Sequence, residues 1–127
     1  MVQDRSAEPE MPVFKVYPPN MKKMRVAWMS TAHGTALELF EFEDPRMSPG
    51  QESNFSRDFN RGGFFHIGIT TPDVDGLCEK VVKHGGKVVG PPMPALGYKA
   101  RYVEDQWGNI FELMDFTFEQ ITGNVFD

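Results

Sequence analysis

The chain has 127 residues, a formal charge of −5 at neutral pH, and a hydrophobic share of 40% with 13% aromatics. That supports one folded domain with a core, excludes a disordered chain, and argues against nucleic acid as a partner, whose phosphates need basic patches. A lone cysteine, Cys78, excludes an intrachain disulfide and suits a reducing, cytoplasmic setting; no apolar run reaches the roughly 20 residues of a membrane helix, and the polar N-terminus carries no signal-peptide pattern.

In chain order, Met1 to Glu10 is polar and acidic and reads as a loose tail. Pro12 to Tyr17 alternates weakly and is expected as a strand, ended by Pro18-Pro19-Asn20. Met24 to Ser30 reads as a strand, His33-Gly34 as a turn, and Ala36 to Phe42 as the returning strand of a hairpin. Strand alternation puts Ala36, Glu38, Phe40 and Phe42 on one face and Leu37 and Leu39 on the other. Asp44 to Gly63 is a linker rich in Pro, Ser, Asn, Gly and charge, with a short helical turn expected over Asn54 to Phe59.

Phe64 to Thr70 reads as a strand, with His66 and Gly68 on one face and Phe65, Ile67 and Ile69 on the other. Asp73 is a suitable N-cap for a helix whose apolar stripe is Val74, Leu77, Cys78, Val81 and Val82. Cys78 on that stripe reads as a core residue, not a nucleophile. Gly85-Gly86 stops the helix. Lys87-Val88-Val89 is a short strand ended by Gly90-Pro91-Pro92, Met93 to Gly97 is a loop, and Lys99 to Glu104 is a strand. Gly108-Asn109 then supplies a tight turn into Ile110 to Met114. There Ile110, Glu112 and Met114 point one way, Phe111 and Leu113 the other. A carboxylate inside such a strand needs a partner, because an unpaired buried charge costs several kcal/mol. A metal ion, a polar ligand or a nearby Arg or Lys would serve. The segment after Thr117 is weakly patterned.

The second half thus reads β-α-β-β-β, and the first half ends in the same way. Gly34 stands four residues before Glu38, as Gly108 stands before Glu112. Trp28-Met29 and Tyr102-Val103 occupy matching offsets upstream, so the pattern is an internal repeat.

Phe65-His66-Ile67-Gly68-Ile69 and Asp105-Gln106-Trp107-Gly108-Asn109-Ile110-Phe111-Glu112-Leu113 resemble the opening strand and the closing turn and strand of a module of the vicinal oxygen chelate superfamily. That family includes glyoxalase I, bleomycin-resistance proteins and extradiol dioxygenases. The resemblance implies an α+β fold of paired βαβββ modules within residues 1–127. About 12–43 would be a partial first module, 44–63 a linker and 64–116 a complete second module. It also implies a divalent ion (zinc, iron, manganese, cobalt or nickel) held by His66 and Glu112, with Glu38 matching the last-strand position of the first module. Imidazole and carboxylate donors suit all of these metals.

The sequence departs from the family in its first module, where the opening strand and helix are missing. No His, Glu or Gln in a matching strand context precedes Val13, so the fourth ligand is left to water, substrate or a partner chain. Leu37 and Leu39 would lack their covering helix, which points to burial by the N-terminal segment or, as the favoured expectation, by a second copy in a homodimer.

Taken alone, a strand histidine is more often a hydrogen-bonded core residue than a ligand; the family context with Glu112 and Glu38 turns that reading round. Trp28, Tyr98, Arg101 and Tyr102 are candidates to line a ligand cavity, or ordinary packing. The resemblance implies a lyase or isomerase acting on a small oxygenated metabolite. Glu112 or Glu38 would act as general base and the ion as Lewis acid. Two alternatives stand beside it: a non-catalytic small-molecule binder of the bleomycin-resistance type, and a metal-free enzyme using His66 and Glu112 as acid and base. Dioxygenase chemistry fits less well, since its iron site wants two histidines and a carboxylate.

Overall fold

The computed structural model describes residues 1–31, 34–48, 54–95 and 97–126. His33, part of the linker and Leu96 lie outside these, while Met93 to Ala95, expected as part of a loop, are strand. The chain forms two compact units, Met1–Pro49 and Gly50–Asp127, with the boundary inside the linker stretch. No described helix is long and apolar enough to cross a membrane.

The first unit is a three-stranded sheet in the order β1 (Val2–Asp4), β2 (Lys23–Ser30), β3 (Ala36–Asp44), all antiparallel, with the short helix α1 (Val13–Val16). Two expectations are corrected here. The expected tail supplies β1: Gln3 pairs with Met24, and the terminal amine of Met1 donates to the Val26 carbonyl. The edge of β2 carries backbone groups that need partners, and this segment provides them. The expected strand at Pro12 to Tyr17 is helical because Pro12 already sits at φ −54° and ψ −34°, the geometry of a helix start. The turn also buries Phe14 against Met21, Met24 and Val26, with Phe40 and Phe42 packed around them. The first unit therefore does open with a strand and a helix. Its β1 lies beside β2, however, and among the described residues no strand pairs with the outer side of β3. The N-terminal segment covers the Phe40–Phe42 face of the sheet. It leaves Leu39 and Met29, on the other face, about half exposed.

The second unit is a four-stranded sheet in the order β4 (His66–Thr70), β7 (Ile110–Met114), β6 (Tyr98–Glu104), β5 (Lys87–Ala95). β4 and β7 are parallel and the other pairs antiparallel. This is the expected βαβββ module. Helix α3 (Val74–Lys83) covers one face, burying Val74 and Cys78 against Val103 and Leu113. Its N-cap is Asp73, whose carboxylate accepts from the Gly76 amide at 2.9 Å.

Two elements of this unit go beyond the sequence reading. β5 does not end at Gly90-Pro91-Pro92. Its pairing with β6 shifts register between Val89 and Met93 and resumes, so the glycine and prolines form an irregularity inside a strand. The weakly patterned C-terminal segment is helix α4 (Phe118–Phe126). It starts at a reciprocal cap, with the Thr117 amide donating to the Gln120 side-chain carbonyl and the Gln120 amide to the Thr117 hydroxyl. Ile121 of α4 packs with Met114, Phe116 and Ala100 on the sheet face opposite α3.

Candidate functional site

The turn ahead of β7 is built by Asp105. Its carboxylate accepts from the amides of Trp107 and Asn109 and from the Asn109 side chain, while Gly108 takes a φ of 87° that a side-chain-bearing residue disfavours. This fixes the register of the hairpin. Tyr102 stands opposite Glu112, and Ala100 opposite Met114. On the other side of β7, Gly68 stands opposite Glu112 and His66 opposite Ile110. With side chains alternating, His66, Gly68, Tyr102 and Glu112 share the face that α3 does not cover.

His66 and Glu112 meet on that face. The imidazole Nε2 is 3.3 Å from a carboxylate oxygen of Glu112, and the two side chains are 32% and 19% exposed, open enough to be reached. The Tyr102 ring stands edge-on to the imidazole at 5.2 Å. Burial, and after it the charge of Glu112, hold the Tyr102 phenol above its ordinary range, so it stays a hydrogen-bond donor at neutral pH. Gly68 keeps the floor low: a Cβ there would stand 2.7 Å from the terminal methyl of Met114.

One wall of the site comes from the linker. Helix α2 (Asn54–Asp58) is anchored by the Asn54 side-chain amide, which donates to the Gly108 carbonyl at 2.6 Å. Phe55 then packs on Tyr102 and on Phe65, and Phe65 stands edge-on to His66 at 5.8 Å. Sequence reasoning expected this helical turn but did not assign Phe55 or Phe65 to the site. An aromatic on a short helix in a polar linker was the available signal.

The other candidates fall elsewhere. Tyr98 packs on Phe116 at 5.3 Å and belongs to the cluster beneath α4. Arg101 pairs in register with Leu113, on the α3 face, so it is not brought together with His66. Trp28 and Glu38 are in the first unit, directly opposite one another on β2 and β3. They repeat there the pairing of Tyr102 with Glu112. Both hairpins also close through the same loop length, Ser30 to Ala36 and Glu104 to Ile110, each with a positive-φ glycine in the loop. Glu38 and Trp28 are exposed, while Phe40 and Phe42 further along the same face are packed under α1. In both units a helix thus covers the far end of the hairpin; the carboxylate–aromatic pair is exposed in the first and partly covered by Phe55 in the second.

Among the described residues of the second unit, no three His, Cys, Asp or Glu side chains gather as a ready-made metal cage. The imidazole and carboxylate present two donors.

Comparison with known proteins agrees with this architecture. No curated protein matches the sequence. Among solved structures, a glyoxalase family protein from Bacillus cereus superposes with a TM-score of 0.58 at 20% identity, over 72% of this chain and 61% of that one. The chain thus spans less than two thirds of that protein. A hypothetical protein from S. aureus is 30% identical over 42% of each chain, with a TM-score of 0.33. A family model for the Glyoxalase/Bleomycin resistance protein/Dioxygenase superfamily matches residues 10–113, which take in both hairpins, His66, Glu38 and Glu112. By that match, and by the βαβββ topology of its second unit, the chain belongs to the glyoxalase/bleomycin resistance protein/dioxygenase superfamily.

Proposed function

We propose that the protein is a divalent-metal-dependent lyase or isomerase acting on a small oxygenated molecule, with His66 and Glu112 as metal ligands. The observation that carries this reading is the 3.3 Å between their donor atoms on neighbouring strands. Two donors bound tetrahedrally to one ion at about 2.0–2.1 Å stand about that far apart, so the donor set fits a shared ion. Glu38 holds in the first hairpin the register position that Glu112 holds in the second, and that repeat makes it a candidate ligand within its own unit.

When bound, such an ion supplies Lewis-acid polarisation of substrate oxygens. The chain's own groups do the rest. Glu112 takes a proton from a substrate carbon as general base. The Tyr102 phenol donates a hydrogen bond to a substrate oxygen. Phe55 and Phe65 keep water from one side of the imidazole and favour a substrate with some apolar surface.

A second reading is favoured by the same contact. The imidazole Nε2, 3.3 Å from the Glu112 carboxylate, is also close enough to pass a proton to or from it, as an acid–base couple would. Purification without chelators, followed by metal analysis and calorimetric titration with zinc, separates the two. The metal reading expects one ion per chain and affinity weakened about tenfold or more in both His66→Ala and Glu112→Gln. Protein that takes up no zinc, or variants that bind it as the parent does, would leave the metal-free reading in its place.

A further inference from the structure

We propose that Gly68 and Phe118 form the subsite that sets substrate choice, an open lane beside the Glu112 carboxylate that takes an aryl group joined to the substrate's reacting oxygens. This rests on the reading of His66 and Glu112 as the reacting pair, and adds which molecules they meet.

The lane follows from how the sheet face opposite α3 is covered. At one end of β7, Ile110 is buried, and α2 is anchored on the adjoining turn through Asn54. At the other end Met114 is buried together with Ala100, and Ile121 of α4 packs against them. Ile110 and Met114 lie about 13 Å apart along the strand. Between them runs the row Tyr102, Glu112, Gly68, in register across three strands. Tyr102 and Glu112 are partly exposed and Gly68 is exposed, so the middle of the face stays open between the two helices.

The Gly68 end of the row is bare and apolar. The heavy atoms nearest to the place of its missing Cβ are the Met114 methyl at 2.7 Å, a Phe118 ring carbon at 3.7 Å and the Met114 sulfur at 3.9 Å. The Thr70 hydroxyl, next along β4 on this face, already donates to the Phe116 carbonyl. Gly68 has no positive φ, so the backbone does not call for glycine here, and the Met114 methyl is the free end of a flexible chain that could yield to a Cβ. Glycine inside a strand costs about 0.5–1 kcal/mol against alanine, and it often marks a place where a ligand approaches closely. Phe118, the first residue of α4, leans toward Gly68 yet is 65% exposed, a large apolar surface left in water. An aryl group laid over the Gly68 backbone covers that ring, and ring pairs of this kind are favourable beyond their buried area. Its oxygens then fall at Glu112 in the same row and at His66, two residues back on β4.

The test uses the full chain and two neutral probes with the same pair of neighbouring oxygens, benzohydroxamate and acetohydroxamate. Zinc uptake is measured first, and each probe is then titrated by calorimetry into the zinc-loaded protein. Benzohydroxamate is expected to bind at least about tenfold more tightly than acetohydroxamate, from burial of its ring. The ratio of the two affinities should fall to near one in Gly68→Val, whose methyls would project into the lane, and severalfold in Phe118→Ala. Reading the ratio cancels any disturbance of the His66–Glu112 pair that both probes feel alike. Should Gly68→Val fail to fold, Phe118→Ala, at an exposed position, decides alone. Zinc uptake with no preference for benzohydroxamate, with binding of neither probe, or with the preference kept in either folded variant overturns the subsite and leaves the metal reading standing. Protein that takes up no zinc defeats the metal reading instead. The same comparison, followed by the Gly68 amide shift in the unloaded protein, then decides the subsite by the same outcomes.

Discussion

Lys99 and Asp75 show how a single contact ties an element in place and how pH should read it out. The hydrogen bond from the Lys99 ammonium holds the Asp75 carboxyl below its ordinary value of 3.8; burial opposes it, and the charges of Lys99 and Arg101 add smaller lowering effects. A carboxyl depressed in the folded state adds stability above its unfolded value, and that contribution is lost as pH falls through the lower folded value. A carbon-detected NMR titration should therefore give Asp75 a midpoint below 3.8, returning toward it in Lys99→Met. Equal midpoints in the two proteins would contradict the pairing. At this scale the sequence was informative wherever alternation was applied strictly. Glu112 is turned to the same face as His66, as the pleat requires. Arg101 and Tyr102 are neighbours on one strand and cannot line the same cavity, so the pleat alone separates them. The partner of Glu112 across β6 depends on register, which the turn at Asp105 sets and a list of residue types does not.

Among the elements, α3 was legible from end to end because its cap, its stripe and its glycine stop agree. Its end also imposes a close approach. A Cβ on Gly86 would stand 2.5 Å from the Glu104 carbonyl oxygen and 2.6 Å from a Val81 methyl. The first of these is backbone and cannot swing away. Gly86→Ala should cost about 1–3 kcal/mol in chemical denaturation, the usual range for overpacking a fitted site. A loss below about 0.5 kcal/mol would mean that the helix end is not held as described. The short elements were harder to read. α1 is rich in strand-favouring Val and Phe, yet helical, because Pro12 presets its first turn and Phe14 gains a core. β1 is a strand only because β2 offers it an edge, a tertiary effect invisible in its own polar residues. α4 did carry a local signal, the Thr117–Gln120 capping box, within a stretch of weak periodicity.

For the molecule as a whole, the repeat is the feature that sequence and structure share most closely. Two hairpins with one loop length and one register each set an aromatic opposite a glutamate, Trp28 with Glu38 and Tyr102 with Glu112. They differ in what lies beyond the glutamate strand. β4 lies beside β7 and brings His66 to Glu112, while no described strand lies beside β3. The incomplete first module was legible as a missing histidine-bearing strand. That the N-terminus would still contribute a strand and a helix, on the other edge, was not. The central claim is that His66 and Glu112 act together as a metal-binding pair. The most direct measurement is a long-range nitrogen–proton NMR spectrum of the histidine rings before and after one equivalent of zinc. The account predicts that Nε2 of His66 moves to the shift of a metal-bound imidazole nitrogen, and that the change is absent in Glu112→Gln at the same zinc concentration. A His66 Nε2 signal left where it was, with zinc taken up at another histidine, would contradict it.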